Sequence, residues 1–441
     1  MQRIFADFAF GPGPRTGCWW DETVPAPDWP VLEGERAVDV GIVGGGFTGL
    51  SAALHLAEGG ASVAVLEAES PGWGASGRNG GFCCEGGAKT DDASLTRRFG
   101  AEAAASYWQA ERDAVALVAD LLDRHGITAD THSRGETQLA HRPKDMERLR
   151  RRADQIARGG GPDPLLIEAA DLPAHGMKGP FHGALTNPVG FGLNPRKYLF
   201  GLARAAEAAG ARLFQKSAAT ALRREGSGWV AETARGRLRC ASLVIATNGY
   251  SSEDLPGWMA GRYLPSQSNV LVTRPLTEAE LAAQGWTSDQ ACYDTRNLLH
   301  YFRLMPDRRF LFGMRGGLIS SPGAEARARA ATRRDFERMF PAWAAVPSPH
   351  TWSGMVCLAR DRLPFAGAVP EHPGLFAGFA YHGNGVAMGS YAGRALARRI
   401  LTGSDAQTPV PMRAPPRRFP LGRARRLLMA PLYATLALRD L

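Results

Sequence analysis

Three glycines at a fixed spacing, Gly44, Gly46 and Gly49, are the part of the sequence with the clearest chemical potential. Gly44 allows a tight turn, Gly46 lets the backbone approach a pyrophosphate, and Gly49 lets a following helix pack closely on a sheet. The start of that helix offers free N–H groups and the positive end of a dipole, which favour an anion. The spacing predicts a dinucleotide site, with a structural glycine-rich turn as the alternative.

Glu67 supplies the second chemical group of this predicted site. It lies 23 residues after Gly44, at the end of the next predicted strand, where a carboxylate can accept hydrogen bonds from ribose hydroxyls. The same negative charge would repel a 2′-phosphate, so NADP is disfavoured. NAD and FAD both remain compatible with this segment.

The elements that must position these groups are a strand, a helix and a second strand. The apolar run at residues 38–43 predicts the first strand, residues 47–57 predict the helix, and residues 63–66 predict the next strand. Residues 243–247 form another continuous apolar run, typical of a strand buried on both faces. We expect this run in the same sheet.

A second candidate site lies on residues 296–303, which alternate as a strand does and place Tyr301 and Arg303 on one face. Arginine suits the recognition of a substrate carboxylate. We therefore expect Tyr301 or Arg303 near the substrate, with Tyr250 and Trp352 as walls. An ordinary position in a sheet is the alternative for each of them.

The composition is that of a globular protein with a basic tail. A chain of 441 residues, 44% hydrophobic and 22% charged, fits two interleaved domains. Of the net charge of +9, residues 412–441 carry +6, from seven arginines and one aspartate, which leaves +3 for the rest. Because the body is nearly neutral, we expect no nucleic-acid partner.

The sequence also predicts what kinds of site and location to exclude. The six cysteines are scattered without a CxxC pair, so neither a metal site nor a disulfide framework is expected. The longest apolar runs are too short to span a bilayer, and no secretory signal begins the sequence. We therefore expect no integral membrane segment and a cytoplasmic location.

Five segments in a fixed order resemble the FAD-dependent amine oxidoreductases of the D-amino-acid oxidase, glycine oxidase and sarcosine oxidase superfamily. They are DVGIVGGGFTGLSAALHLAEGGASVAVLEA, GWGASGRNGG, LVIATNGY, DRLPFAG and HGNGVAMGSYAG. The resemblance covers about residues 15–403 and is strongest to the branch that contains gamma-glutamylputrescine oxidase. It implies an α/β fold, in which an FAD-binding Rossmann-like domain of the glutathione reductase type is interleaved with an α+β substrate domain built on an antiparallel sheet.

By this resemblance, the ADP half of FAD would lie on the first glycine turn, and residues 78–81 would run beside the isoalloxazine. The two adjacent glycines permit a backbone to pass flat against a ring, and Arg78 would favour the anionic reduced flavin. Residues 382–386 would give a second flavin contact at a helix N-terminus, with a structural role as the alternative for His382. The residues predicted to bind FAD are Gly44, Gly46, Phe47, Thr48, Gly49, Glu67, Ala68, Gly74, Ala75, Ser76, Arg78, Asn79, Gly80, Gly81, Thr247, Asn248, Gly249, Gly383, Asn384, Gly385 and Val386.

Two departures from the family pattern affect the expected chemistry. Sarcosine oxidases carry a lysine over the flavin in the strand that resembles residues 309–313, whereas this sequence has no lysine after Lys216. Oxygen reactivity is therefore in question, and Arg315 is a weak substitute. Covalent flavin attachment in that branch uses a cysteine near the DRLPFAG segment, and Cys357 is three residues out of place, so we expect noncovalent FAD.

The resemblance implies oxidation of a C–N bond by hydride transfer to flavin N5, giving an imine that water hydrolyses to an aldehyde or oxo acid plus an amine. Positioning and cofactor electronics carry such a reaction, so no catalytic triad is needed. The predicted catalytic residues are Tyr301, Arg303, His382, Tyr250 and Trp352.

Three functions stay open. The first is an oxidase of a small amine or amino acid, such as an N-substituted glycine or a polyamine derivative like gamma-glutamylputrescine, which reduces oxygen to hydrogen peroxide. The second is a dehydrogenase that passes electrons to a quinone or another carrier, with the basic tail in peripheral contact with a membrane; a tail helix packed on the body is the alternative. The third is an accessory flavoprotein acting with a partner.

The order of these segments also predicts a domain organisation. We expect an N-terminal arm at residues 1–36 and a basic C-terminal tail at residues 404–441. The FAD-binding domain is predicted to be discontinuous and the substrate-binding domain to be inserted into it. The FAD-binding segments are 37–125, 190–255 and 351–403, and the substrate-binding segments are 126–189 and 256–350.

Overall fold

The apolar run before the glycine turn is a central strand of an eight-stranded sheet, here called the first sheet. In the computed structural model, which describes residues 1–159 and 161–440, this strand begins at Gly34 and pairs in parallel with a neighbour on each side. The order along the first sheet is Phe365–Ala368, Leu375–Phe379, Gly236–Ile245, Gly34–Val43, Val63–Leu66 and Arg212–Phe214. Strands Gly228–Glu232 and Ala221–Glu225 extend the sheet by antiparallel pairing.

The predicted helix after the glycine turn is present as Phe47–Glu58. It packs against Pro195–Ala208 and Ala387–Thr402, and the long helix Ala101–Arg124 packs on the last of these. Gly393 lets the first and third of these helices approach closely, because a Cβ on it would collide with the backbone at Thr48 and Ala52. Together the helices and the first sheet enclose the largest hydrophobic core, in which Leu50 and Leu54 are fully buried.

A second sheet of eight strands is antiparallel except for one parallel pair. Its order is His350–Leu358, Leu264–Val272, Phe310–Arg315, His300–Leu304, Ala291–Asp294, Glu136–Leu139, Gly183–Asn187 and Leu165–Glu168. Residues 296–299 precede strand His300–Leu304. The predicted alternation is observed in this strand, because His300 and Phe302 face the core beneath helix Pro322–Met339 and Tyr301 faces the other way. That outer face of the sheet covers the cavity described below.

The remaining elements connect or cover the two sheets. A short antiparallel pair joins Phe82–Cys84 to Gly190–Gly192. The other α-helices among the described residues are Trp20–Thr23, Asp92–Phe99, Asp145–Arg158, Glu278–Gln284, Val410–Arg413 and Met429–Arg439. Across residues 1–159 and 161–440, no helix is long and apolar enough to cross a membrane.

The basic tail lies on the body of the protein. Arg425 is fully buried, and its Nη1 donates a hydrogen bond of 3.0 Å to Glu253. Tyr433 bonds the hydroxyl of Ser266, and Asp440 accepts a bond of 2.7 Å from the backbone N–H of Asn297. Strand His350–Leu358, at the start of the predicted FAD-binding segment 351–403, pairs in the second sheet. The domain boundaries stay a prediction.

Candidate functional site

The glycine turn joins strand Gly34–Val43 to helix Phe47–Glu58 as the sequence predicts. Gly44 has φ +111°, and a Cβ on it would lie 2.7 Å from the carbonyl oxygen of Ala246. A Cβ on Gly49 would lie 1.9 Å from the carbonyl oxygen of Gly44. Neither position therefore accepts a side chain without moving backbone, and both glycines are needed to bring the helix N-terminus to the sheet edge.

Glu67 lies beside this turn, directly after strand Val63–Leu66. Its Oε2 accepts a hydrogen bond of 2.9 Å from the N–H of Gly45, and its Oε1 accepts one of 3.0 Å from the N–H of Glu69. Burial raises the pKa of the carboxyl, and these two backbone bonds oppose that rise. Glu67 lines a cavity of about 140 Å³, here called the small cavity, together with Gly44 and Thr247.

The second glycine-rich segment, residues 72–81, packs directly over the glycine turn at residues 44–49. The hydroxyl of Ser76 accepts a hydrogen bond of 3.0 Å from the N–H of Phe47, at the helix N-terminus. A Cβ on Gly46 would lie 2.9 Å from the same hydroxyl, so the missing side chain keeps the passage beside it open. Asn79 holds the segment by accepting a bond of 2.8 Å from the N–H of Gly81 and donating to Ala75 and Ser76.

Arg78 carries buried donors that the protein leaves free. The residue is 2% exposed, and its Nη1 donates to the carbonyl of Ser353 at 3.2 Å. Its Nε and Nη2 are buried without a hydrogen-bond partner among the described residues. Because an unsatisfied buried guanidinium is costly, Arg78 is suited to a bound group that accepts hydrogen bonds.

The C-terminal motif, residues 382–386, lines a second and larger cavity, which also includes Arg78. Nδ1–H of His382 donates to the carbonyl of Gly87 at 2.6 Å, and Nε2 accepts from the N–H of Ala359 at 3.1 Å. Burial lowers the pKa of His382 to about 4, so the ring is neutral. Both ring nitrogens serve the backbone, which is the structural arrangement considered for this residue; a catalytic role stays a prediction.

A cavity of about 1160 Å³, here called the main cavity, connects these segments. It adjoins the small cavity at Gly46, Ala75, Ser76, Ala246 and Asn248, which line both. The predicted residues along the main cavity are Gly46, Phe47, Thr48, Ala75, Ser76, Arg78, Asn79, Gly80, Asn248, Tyr301, His382, Gly383, Asn384, Gly385 and Val386. Those along the small cavity include Gly44, Glu67, Ala68, Gly74, Thr247 and Tyr250.

Tyr301 and Tyr250 are the predicted aromatic residues that reach these cavities. Tyr301 faces the main cavity, and its hydroxyl bonds Ser268 at 2.9 Å. Its ring lies directly over Gly80, where a Cβ would approach it to 2.9 Å. Tyr250 lines the small cavity, and the Arg78 guanidinium lies 5.6 Å from the centre of its ring.

Five of the predicted residues lie behind the lining of both cavities: Gly49, Gly81, Gly249, Arg303 and Trp352. Arg303 is 1% exposed and donates to the carbonyl of Leu193 at 2.7 Å, with His132 Nε2 at 3.0 Å. Trp352 donates its indole N–H to the carbonyl of Arg78 at 2.7 Å. In this structure both side chains form hydrogen bonds within the protein. A contact of Arg303 or Trp352 with substrate stays a prediction.

Charged residues that sequence reasoning did not single out also line the main cavity. They include Glu85, Lys89, Glu111, Glu136 and Arg152, together with Arg315, the weak substitute for the lysine of sarcosine oxidases. The period-two pattern of strand Glu136–Leu139 was the available signal for Glu136, because Leu139 lies in the core and Glu136 therefore faces away from it. No local pattern marks the others.

Lys89 brings an amine into the main cavity. It is far in sequence from residues 309–313, where sarcosine oxidases carry their lysine. Its side chain opens onto the main cavity, while its backbone N–H donates to the carbonyl of Arg362 at 2.9 Å. Loss of solvation lowers the pKa of Lys89 to about 8, and the positive charge of Arg315 contributes to the decrease. A neutral amine is therefore accessible there near neutral pH.

Comparison with known proteins agrees with this geometry. The family described as DAO, FAD dependent oxidoreductase, matches residues 39–399. A probable oxidoreductase OrdL of Rhizobium meliloti (strain 1021) is 30% identical, over 87% of this chain and 88% of its own length. The gamma-glutamylputrescine oxidoreductase of Escherichia coli (strain K12) is 29% identical, over 88% of this chain and 89% of its own.

Solved structures share the fold. Glycine oxidase from Geobacillus kaustophilus superimposes with a TM-score of 0.69 at 22% identity, covering 83% of this chain and 95% of its own. L-Proline dehydrogenase from P. horikoshii superimposes with a TM-score of 0.70 at 18% identity, covering 86% and 96%. The interleaved α/β architecture predicted from the sequence is confirmed.

Proposed function

The chain belongs to the DAO family of FAD-dependent oxidoreductases, and from that premise we propose that it oxidises the C–N bond of a small amine or amino acid. The substrate is an N-substituted glycine or a polyamine derivative such as gamma-glutamylputrescine, the compound in the name of one relative. The product is an imine, which water hydrolyses to an aldehyde or oxo acid plus an amine. One observation carries this proposal: the main cavity runs from the dinucleotide turn to a chamber of charged side chains.

The residues present fit FAD. The turn leaves space at Gly46 that a Cβ would fill, Glu67 is placed for ribose hydroxyls, and Arg78 has buried donors without a protein partner. The backbone from Gly383 to Val386 leads into helix Ala387–Thr402 at the cavity wall, where its N-terminus favours negative charge. When bound, FAD supplies an acceptor for the two electrons and the hydrogen of the C–H bond.

The protein's own groups then orient the amine and take its proton. Tyr301, held by Ser268, forms a rigid wall opposite Gly80. The amine must lose its proton before its lone pair can form the imine, and Nζ of Lys89 is a base open to the same cavity. We propose that Lys89 accepts this proton, because its lowered pKa leaves part of the population neutral near pH 7.

The electron acceptor is the second part of the proposal. We propose that oxygen reoxidises the enzyme and is reduced to hydrogen peroxide. A carrier such as a quinone is the competing candidate, and exposed apolar residues of the tail favour it, because Leu427 and Leu438 are each 71% exposed beside several arginines. A noncovalent attachment of FAD and a cytoplasmic location are also proposed.

An anaerobic screen of amines tests the proposal. The holoenzyme is mixed with each amine in the absence of oxygen, and loss of the visible absorbance of oxidised flavin is measured. Bleaching by at least one amine is expected, and peroxide formation on admission of air identifies oxygen as the acceptor. Bleaching with restoration only by a quinone would favour the carrier, and no bleaching with any amine would favour an accessory flavoprotein acting with a partner.

A further inference from the structure

Six charged side chains line one part of the main cavity, here called the charged chamber: Glu85, Lys89, Glu111, Glu136, Arg152 and Arg315. They lie within electrostatic reach of one another, since Glu136 and Arg152 each interact with other members of the group. Charges of both signs are thus concentrated in one cavity that also opens to the dinucleotide turn.

Two different elements present the central pair of this chamber. Glu136 lies on strand Glu136–Leu139, whose alternation points Glu136 and Gln138 to the cavity. Arg152 lies on helix Asp145–Arg158, one turn after Arg148, which lines the same cavity. Regular elements hold both side chains, so their positions do not depend on a loop.

The charged chamber contains no internal ion pair. Across the described residues, none of the six side chains forms an ion pair within 4.0 Å. Glu136 is 5% exposed, with the Cys84 thiol as its hydrogen-bonding neighbour and the charge of Arg152 nearby, and the hydrogen bond from Arg152 to Gln138 is long at 3.5 Å. A buried carboxylate without an ion-pair partner is costly, so this part of the cavity is suited to a ligand that supplies the opposite charges.

We propose that Glu136 and Arg152 bind a zwitterionic group of the substrate, carried in addition to the amine that is oxidised. Glu136 pairs with an ammonium and Arg152 with a carboxylate. This inference rests on the proposed function and narrows its substrate class to amines that also bear an α-amino acid group. A substrate with one charge would leave either Glu136 or Arg152 unpaired.

Electrostatics of the two side chains agree with this assignment. Burial raises the pKa of Glu136, so an arriving ammonium would favour its ionised form. The neighbours of Arg152, Tyr293 first and the Glu136 carboxyl next, raise its pKa, so it stays positive and can pair with a carboxylate.

A binding series with small probes tests the inference without turnover. L-Glutamine carries both charges, 4-aminobutanamide lacks the carboxylate, and glutaramate lacks the ammonium. Their affinities for the oxidised holoenzyme are measured by calorimetry without oxygen, with the flavin absorbance checked for the absence of reduction. We expect L-glutamine to bind at least about 10-fold more tightly than either relative. Equal affinities of the three, or no binding of any, would overturn the inference.

Two variants assign the charges to residues. Glu136→Gln should abolish the advantage of L-glutamine over glutaramate, and Arg152→Met should abolish its advantage over 4-aminobutanamide. Glu102→Gln and Arg151→Met, both exposed, are the matched controls and should retain both advantages. Unchanged discrimination in both chamber variants, with flavin content preserved, would reject the assignment. If one variant fails to fold, the wild-type series still decides.

The outcome can be separated from that of the proposed function. Flavin reduction by simple amines tests C–N oxidation and involves no zwitterion. If amines bleach the flavin while the three probes bind alike, the reaction stands and the zwitterion subsite fails. If no amine bleaches it, the proposed function fails whatever the probes show.

Discussion

The indole Nε1 of Trp352 donates a hydrogen bond of 2.7 Å to the backbone carbonyl of Arg78. Trp352 lies in the edge strand of the second sheet, and Arg78 lies in the glycine-rich segment over the dinucleotide turn. The bond is buried and fixes the backbone of Arg78, a residue that lines the main cavity. One hydrogen bond thus couples the second sheet to the proposed flavin site.

Replacing Trp352 with Phe should destabilise the protein and loosen this segment. The change leaves the Arg78 carbonyl buried without a donor, which costs about 1–3 kcal/mol of unfolding free energy. Urea unfolding measures this loss, and FAD retained after dialysis reports on the segment. Trp108→Phe is the control, because its indole bonds Asp92 at an exposed position. Equal losses in the two variants would contradict the expectation.

Replacing Arg78 with Gln should weaken FAD binding far more than it changes the stability of the apoprotein. The substitution removes two buried donors that have no protein partner, which offsets the loss of the Nη1 bond to the Ser353 carbonyl, so the stability of the apoprotein should change little. FAD binding should weaken by about 10-fold to 100-fold, because charge-assisted hydrogen bonds to the flavin are lost. The difference in melting temperature with and without FAD measures both effects. The exposed Arg36→Gln serves as control, and an unchanged difference in Arg78→Gln would argue against a flavin contact.

Local patterns were sufficient to predict the first sheet and the dinucleotide turn, because the strand, glycines, helix and Glu67 are close in sequence. The turn at Gly44 and Gly49 follows from backbone sterics alone. The alternation around Tyr301 also gave the correct strand faces. These features depend on neighbours within one or two elements.

The charged chamber could not be predicted in this way. Lys89 follows a short strand of the two-stranded pair, Glu136 comes from the second sheet, and Arg152 comes from a helix between two of its strands. Only the tertiary fold brings them to one cavity. For Arg303 the local pattern was misleading in the opposite way. Its position on the strand suits a ligand contact, but its Nη2 donates a hydrogen bond to the backbone carbonyl of Leu193.

Replacing Lys89 with Met should remove a pH-dependent step from flavin reduction. With a pKa of about 8, Lys89 becomes a base as the pH rises through that value, so the rate at saturating amine should increase from pH 6 to about 9. The variant should be slower by about 100-fold and lack this increase. Anaerobic stopped-flow at several pH values measures both, with Lys197→Met, paired with Asp130, as control. An unchanged profile would exclude Lys89 as the base.

Replacing Glu111 with Gln should flatten part of the pH dependence of stability. Burial raises the pKa of Glu111 from 4.5 to about 7, so its contribution is present below pH 4.5 and is lost as the pH rises through 7. The loss is about 3 kcal/mol by linkage. Gln mimics the protonated acid, so the variant should match the wild type at pH 4.5 and exceed it at pH 8. Glu102→Gln, exposed on the same helix, should show no such crossover in urea unfolding.

Acid precipitation of the holoenzyme should release its FAD into the supernatant. Covalent attachment would need a thiolate. Cys357 lines the main cavity and lies nearest to the DRLPFAG segment, where related enzymes attach their flavin. Burial raises the pKa of Cys357 to about 12, so the thiol stays protonated and unreactive near neutral pH. A denaturing gel should show no fluorescent protein band, and Cys357→Ser should keep its flavin. A fluorescent band that disappears in Cys357→Ser but persists in Cys84→Ser would instead establish a covalent bond at Cys357.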